Sequence, residues 1–345
     1  MNIKKGDGIN SVNNQKQTFD KPSFIIDKIK DGSVKNVFKI LEASEISYLY
    51  KFGRILSKKE ETNRLLFFNN GFEGTVRQGG VGTCYFLASL EMMKATRFGK
   101  INLLNIIEKV NNNGQESYNI KFPGYDKVIN ITQKELELVK SKGYGLKKGT
   151  LGDHIISVAH MKYMYETKSD KFIVKNISFE DYINNHIREK YADMVFERGQ
   201  EEQAIKLLMG EKNIIVDYFY ILNDGLGFNH GEMFQPPKGL AKTSNIISFD
   251  DLSRFFNEGA MIGVGTKKKK IPGNNSEKEV GVEYEDYYGK KVTILGPHAH
   301  WIRKIDTKSG FIELSEPFNS NKVIRFTLKQ FSSIFNSITL VRKRL

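Results

Sequence analysis

Residues 78–88, Gln-Gly-Gly-Val-Gly-Thr-Cys-Tyr-Phe-Leu-Ala, are the stretch of this 345-residue chain that decides its fold. The glycines at positions 79, 80 and 82 allow the backbone to bend tightly and to approach a ligand closely. Cys84, the single cysteine, then begins a segment without Gly or Pro that favours a helix. The sequence therefore predicts a tight loop that ends in a thiol at the first turn of a helix.

A thiol at the start of a helix has the surroundings of a nucleophile. Unpaired N–H groups and the helix dipole stabilise a thiolate there, which is the reactive form of cysteine. Gln78 lies six residues upstream, and its amide together with the Cys84 N–H can form an oxyanion hole. The alternative is a Gly-rich loop before a core helix with a buried thiol. The glycine spacing fits neither a phosphate-binding loop nor a dinucleotide-binding fingerprint.

A thiolate nucleophile needs a neighbouring imidazole, which also protonates the leaving amine. The histidines at 154, 160, 186 and 230 lie in helical, charged or loop segments that give no reason for such a role. The run Gly296-Pro-His-Ala-His-Trp301 opens a predicted strand after a turn, so it holds the candidate bases. Its two histidines point to the same face of a strand. A two-histidine metal site is the other interpretation, but no carboxylate or thiol stands at ligand spacing.

The stretch from Gln78 to Ala88 resembles the active-site signature of the calpain family of papain-like cysteine proteases, Q-G-x-x-G-D-C-W-x-L-A. Thr83 and Tyr85 replace the Asp and the Trp of that signature. The resemblance implies that Cys84 is the nucleophile and that Gln78 contributes to the oxyanion hole. The matching positions are Gln78, Gly79, Gly82, Cys84, Leu87 and Ala88.

Two later motifs are similar to the rest of the calpain active site. The run His298-Ala-His-Trp-Ile resembles the family's H-A-Y-S-V, which implies that His298 is the base and leaves His300 as the alternative. The family's N-P-W-G, whose asparagine orients the imidazole, has its counterpart in Glu316-Pro-Phe. Glu316 is therefore the expected third catalytic residue, and Asn319 is the alternative.

The resemblance covers about residues 71–345. It includes Phe196–Gly210 and the ending around Phe331-Ser-Ser-Ile-Phe. Family members bind calcium through an acidic residue three positions before the glutamine, where this chain has Thr75. No cofactor and no metal are therefore expected. Calcium is the only metal ion that the resemblance suggests as a possible ligand.

The pattern of elements predicts an α+β class with the papain-like two-lobe fold, in which a helical lobe precedes an antiparallel β lobe. Residues 1–20 are polar and predict a disordered tail, and residues 21–70 predict a helical extension. Residues 71–210 form the expected helical lobe with Cys84, and residues 211–345 form the β-rich lobe with His298. Residues 267–290 alternate charge and glycine, which predicts a mobile surface loop.

The net charge and the hydropathy of the chain limit which binding partners and which cellular location are expected. The formal net charge is +13, but the lysines are spread along the whole chain and predict a solvated surface rather than nucleic-acid binding. No window approaches 18 apolar residues and no Sec signal peptide is seen, so no membrane span is expected. We expect action in the cytoplasm, or in a host cell after export of a bacterial effector by a non-Sec route.

The expected function is that of a cysteine endopeptidase that cleaves a protein or peptide substrate. An acyltransferase or deamidase of the same fold would use the same residues. The departures at Tyr85 and Glu316 leave a third hypothesis, a catalytically inactive papain-like binding module.

Overall fold

The structure, a computed structural model, describes residues 56–67, 76–112, 114–168, 176–187, 196, 199, 201–221, 228–230, 246–266, 280–296, 298–316 and 319–344. By its contacts the chain separates into two units, Met1–Ile55 and Leu56–Leu345, and every described residue belongs to the second. The predicted tail of residues 1–20, most of the predicted extension of residues 21–70, and Thr75 lie outside the described residues. The second unit combines helices with antiparallel strands, which confirms the α+β class.

The helices lie mainly in the first half of this unit. They are α1 (Lys58–Phe67), α2 (Cys84–Ala95), α3 (Arg97–Ile106), α4 (Gln133–Lys142), α5 (Leu151–Lys168), α6 (Glu201–Met209), α7 (Phe249–Asn257) and α8 (Leu328–Ile334). A helical turn at Phe179–Asp181 continues into a π-helical turn at Tyr182–His186, and Glu211–Asn213 form a 3-10 turn. Within the described part of the chain, no helix is both long enough and apolar enough to cross a membrane.

The strands lie mainly in the second half. They are β1 (Arg77–Gln78), β2 (Ile107–Asn112), β3 (Gln115–Ile120), β4 (Ile129–Thr132), β5 (Leu146–Lys148), β6 (Ile214–Ile221), β7 (Phe228–His230), β8 (Ile246–Ile247), β9 (Met261–Thr266), β10 (Val280–Glu285), β11 (Lys291–Gly296), β12 (Ala299–Asp306), β13 (Phe311–Glu316), β14 (Asn319–Thr327) and β15 (Phe335–Lys343). Eight of them form one antiparallel sheet in the order β14-β13-β12-β9-β15-β6-β7-β8. The smaller sheets are β2-β3-β4, β1-β5 and β10-β11.

Helix α2 is buried on all sides, which explains its apolar sequence. It packs against α3, α6 and the strands β9 and β12 of the large sheet. A helix in such a position is apolar around its whole circumference, rather than along one stripe. The predicted helix after Cys84 is confirmed, but it ends at Ala95. Thr96 adopts an extended conformation there, and its hydroxyl caps the start of α3 by accepting from Gly99 N–H at 3.1 Å.

One face of the large sheet packs under α7 and α8. Apolar side chains of β9 and β15 alternate between the two faces, as the twofold repeat of a strand requires. The buried residues of this face include Ile262, Val264, Ile302, Leu314, Phe326, Phe335, Ile338 and Leu340, with Leu252 of α7 and Phe331 of α8.

The prediction of a surface loop over residues 267–290 is wrong for residues 280–285. These residues form β10, which pairs with β11 in an antiparallel hairpin. Tyr284 opposes Val292 and packs against the sheet core, while Glu283 is exposed and opposes Thr293. Apolar and charged residues therefore alternate with the period of a strand, and the charges mask this pattern in the sequence.

Candidate functional site

The glycine loop before Cys84 is fixed by backbone contacts with the segment after α4. Strand β1 pairs with β5, and Gly80 N–H donates to the Gly143 carbonyl at 2.7 Å. A Cβ atom at Gly79 would come within 2.0 Å of the Gly145 carbonyl oxygen, so no side chain fits there. The glycines predicted to allow a close approach thus bring two backbone segments together.

Gln78 is buried under this loop, with 4% of its surface exposed. Its Nε2 donates to the Val81 carbonyl at 2.9 Å, and this acceptor determines which amide atom faces the loop. Its Oε1 is buried and has no hydrogen-bond partner among the described residues. The second N–H of the amide is not used by the Val81 contact, so it can serve another acceptor.

Cys84 is the first residue of α2 and is partly exposed. Thr83 occupies the cap position without a side-chain hydrogen bond, and its carbonyl accepts from Phe86 N–H and Leu87 N–H, both at 3.0 Å. In the described part of the chain the Cys84 N–H donates no hydrogen bond. The thiol therefore lies beside an unused donor at the positive end of a helix dipole.

Tyr85, which stands where the calpain signature has Trp, is an anchor for α2. Its hydroxyl donates to the Phe196 carbonyl at 3.3 Å and lies 3.4 Å from His160 Nε2. Its ring packs so closely on Gly199 that a Cβ there would come within 2.0 Å of the ring. Burial, followed by the charge of the neighbouring Cys84, raises the pKa of the Tyr85 hydroxyl. The phenol therefore stays neutral and holds the first turn of α2 in place.

His160 is a core residue. Its ring stacks on Phe86 with 3.8 Å between the centroids, and only 1% of its surface is exposed. Burial lowers its pKa to about 3, so the imidazole is neutral at physiological pH. Neither the helical sequence around this position nor the packing of the ring in the core indicates a catalytic role.

His298 lies immediately before β12 and is held by the end of β9. Its N–H donates to Thr266 Oγ1 at 2.8 Å, and its carbonyl accepts from Thr266 N–H at 3.1 Å. Its backbone pairing with Thr266 continues the pairing of β12 with β9, which begins with Ala299 opposite Gly265.

His300 lies within β12, opposite Val264 of β9. Its ring makes an edge contact with Phe335, with 5.6 Å between the centroids, and is 1% exposed. The centroids of the His298 and His300 rings are 5.4 Å apart. His298 is buried as well, with 4% of its surface exposed, and the contact between the two rings agrees with the predicted placement on one face of the strand.

The contacts of α2 show which way it runs across the sheet. Met92, in its last turn, lies against Gly263, where a Cβ would come within 3.3 Å of the Met92 methyl group. Beyond the end of α2, the ring of Phe98 lies 5.5 Å from Lys343 Nζ. Gly263 pairs with Thr339, so Lys343 lies four residues farther along β15. The chain therefore moves towards the Lys343 end of β15 as it leaves α2.

The N-terminus of α2 consequently points towards the other end of β9. That end is Thr266, which pairs with Phe335 and binds the backbone of His298. Cys84 precedes Met92 by eight residues, which is about 12 Å along a helix. Cys84 and His298 therefore belong to the same end of the α2–sheet packing, and Gln78 joins them through the glycine loop.

Glu316 and Asn319 lie on the neighbouring strands. Ser315 pairs with Trp301, which places the backbone of Glu316 next to the beginning of β12. Glu316 in turn opposes Asn319 across the β13–β14 pair. The side chains of both residues lie outside the part that the structure describes, so their roles remain predictions.

Glu201, the first residue of α6, is a site residue that the sequence did not indicate. Its Oε2 accepts from Thr339 Oγ1 at 3.0 Å and lies over Gly263, where a Cβ would come within 2.7 Å. Its Oε1 is sealed from solvent and has no partner among the described residues. Burial raises the pKa of this carboxyl to about 7, against the hydrogen bond from Thr339 and the charge of His298.

Glu201 was missed because an acid in the first turn of a helix normally faces solvent and interacts with the helix dipole. The available signal is indirect. Thr339 lies between the apolar Ile338 and Leu340, and Gly263 lies between Ile262 and Val264; together they make room and a hydrogen bond for this carboxylate.

The described residues contain no group of three or more His, Cys, Asp or Glu side chains that could hold a metal ion. A scan of the chain against protein-family models gives no match. A search of curated protein sequences gives no match either.

Proposed function

We propose that this protein is a cysteine endopeptidase with the papain-like two-lobe architecture. The observation that carries the proposal is the position of Cys84. Its thiol is partly exposed at the start of a buried helix, beside an unused N–H, and one glycine loop away from the buried amide of Gln78. The same helix end is directed towards the end of the sheet at which His298 stands.

In the proposed reaction the Cys84 thiolate attacks the carbonyl carbon of a peptide bond. The Cys84 N–H and the second N–H of Gln78 Nε2 donate to the oxyanion. The imidazolium of His298 then gives its proton to the leaving amine, and the C–N bond breaks. A water molecule attacks the thioester, His298 takes its proton, and the acid product leaves as the thiolate is restored.

His298 needs a group that holds its ring in the correct orientation. Glu316 is the candidate from the family resemblance, with Asn319 as the alternative. Glu201 is a further candidate that would act through charge, because the charge of His298 offsets part of the rise that burial causes in the pKa of its carboxyl, while its hydrogen bond goes to Thr339. His300 is the weaker candidate for the base, since its ring packs against Phe335 in the sheet core.

The test is digestion of a protein lysate, followed by mass spectrometry of the new chain termini. The wild-type protein is expected to create termini that Cys84→Ala and His298→Ala do not create. His300→Leu, which keeps an apolar group of similar size in the core, is the matched control and is expected to retain cleavage. Thermal unfolding of each variant shows that it is folded.

Each other outcome has a defined meaning. New termini that persist in Cys84→Ala contradict the proposal. Mass-shifted glutamines without new termini indicate the acyltransferase or deamidase instead. The absence of any product, together with a Cys84 that does not react with small electrophiles, indicates the binding module.

A further inference from the structure

A pocket of about 450 Å³ opens beside the glycine loop. Two of its walls are segments that the Gly80–Gly143 hydrogen bond holds together. One is the glycine loop itself, the other is the end of α4 with β5, and Ile187 completes the lining. The lining residues include Gly80, Val81, Lys142, Gly143, Tyr144 and Lys147.

The pocket is positively charged. Lys142 and Lys147 are both exposed, and neither forms an ion pair with a described residue. No carboxylate is among the lining side chains that the structure describes. Lys148 and Arg77 on the adjoining strands are exposed as well and add to the positive charge. An anionic group that enters this pocket therefore gains attraction from two lysines without displacing an acidic partner.

The pocket is close to the nucleophile. Val81 lines it and accepts the hydrogen bond from Gln78 Nε2. Val81 and Cys84 are three positions apart, which is at most about 10 Å of extended chain. A substrate whose scissile bond lies at Cys84 can therefore place a nearby side chain in the pocket.

We propose that this pocket selects substrates by an acidic side chain, Asp or Glu, beside the scissile bond. The inference rests on the proposed function, since it names the substrate class of the same site. The ammonium groups of Lys142 and Lys147 would attract the carboxylate, and the volume of about 450 Å³ is sufficient for a side chain of this size. Lysines bind a single carboxylate as point charges and do not require the planar geometry of an arginine pair.

The test compares matched peptides that differ only by Glu or Gln at one position near the cleavage site. For the wild-type protein kcat/KM is expected to be about tenfold higher for the Glu peptide, which corresponds to one charge-assisted hydrogen bond at a partly exposed site. Lys142→Glu and Lys147→Glu are expected to abolish or reverse this preference. Lys140→Glu makes the same charge change on α4 outside the pocket and is expected to keep it.

A binding measurement separates this inference from the proposed function. Labelled forms of the same peptides are titrated against Cys84→Ala, and binding is followed by fluorescence polarisation. Charge-selective binding without cleavage by the wild-type protein would support the pocket and contradict the protease.

Equal binding of the Glu and Gln peptides would overturn the inference. So would an effect of Lys140→Glu as large as that of Lys142→Glu. Binding of a single-stranded oligonucleotide that depends on Lys142 and Lys147, without peptide selectivity, would overturn it in favour of a nucleic-acid site.

Discussion

Replacing Glu201 by Gln should stabilise the fold at alkaline pH while it slows the reaction. Burial is the main reason that the pKa of this carboxyl rises from 4.5 to about 7, and the hydrogen bond from Thr339 and the charge of His298 offset only part of it. Each tenfold change in proton affinity is about 1.4 kcal/mol, so this rise corresponds to about 3 kcal/mol. The folded state carries that cost once the carboxyl is ionised.

The sign of the pH dependence of stability follows from proton linkage. Between pH 4.5 and about 7 the folded protein keeps a proton on Glu201 that the unfolded chain has lost. The free energy of unfolding therefore falls as the pH rises through this window, and the full cost is present above it. A glutamine has no such charge and still accepts the hydrogen bond from Thr339. We expect Glu201→Gln to raise the free energy of unfolding by up to about 3 kcal/mol at pH 8 and to change it little near pH 4.5.

The assay is urea unfolding of the wild type and the variant at pH 5 and at pH 8. Glu202→Gln is the matched control, because Glu202 is the next residue and pairs with Lys206 on the surface of the same helix at 2.7 Å. Its loss should cost only a few tenths of a kcal/mol, with little difference between the two pH values. If Glu201 positions His298, kcat falls in Glu201→Gln while KM stays close to that of the wild type. The same change in stability at pH 5 and pH 8 would refute the reasoning.

Three further changes test the packing around the site. Gly79→Ala should lower the free energy of unfolding by about 1–3 kcal/mol in urea titrations and reduce cleavage, because the new methyl group collides with the backbone of Gly145; unchanged activity would contradict this. Lys94→Met should cost about 3–5 kcal/mol in thermal or urea unfolding, since it leaves Asp153 buried without its cation, and a loss below 1 kcal/mol would count against it. Tyr85→Phe should cost about 0.5–1.5 kcal/mol and keep cleavage, whereas a complete loss of cleavage would mean that the hydroxyl takes part in the reaction.

The sequence predicted the parts of the fold whose pattern is local. The helix after Cys84 and the β-rich character of residues 211–345 follow from such patterns, and the structure has both. Helix α4 was missed although Thr132 and Glu135 form a capping box and Gly143 ends the helix with a φ of 70°. Its buried apolar stripe consists only of Leu136 and Val139, which is too narrow to stand out in the sequence.

Strand β14 was missed for a similar reason. Its alternation is limited to a short run in which Ile324 and Phe326 are buried while Val323 is exposed and Arg325 is half-buried. A run of this length does not separate a strand from a loop. The pairing of β14 with β13 supplies the missing information, because it depends on residues that are distant in the sequence.

The residues of the candidate site likewise fall into those that local sequence indicates and those that depend on distant segments. Gln78 and Cys84 could be predicted, since the loop and the helix that hold them are consecutive in the chain. Glu201 could not, because its burial depends on Gly263 and Thr339, which come from two other strands. The choice between His298 and His300 rested on the family resemblance, since two residues on one face of a strand have the same place in the periodic pattern.

The proposal that Cys84 is a nucleophile activated by His298 is tested by the rate at which Cys84 is alkylated at pH 7. Cys84 is the single cysteine, so chloroacetamide labelling measured by intact-protein mass spectrometry reports on it alone. We predict that the wild-type protein is labelled much faster than His298→Ala, because a neighbouring imidazole takes the proton of the thiol, and that His300→Leu is labelled at the wild-type rate. Equal labelling rates of the wild type and His298→Ala would contradict the proposal.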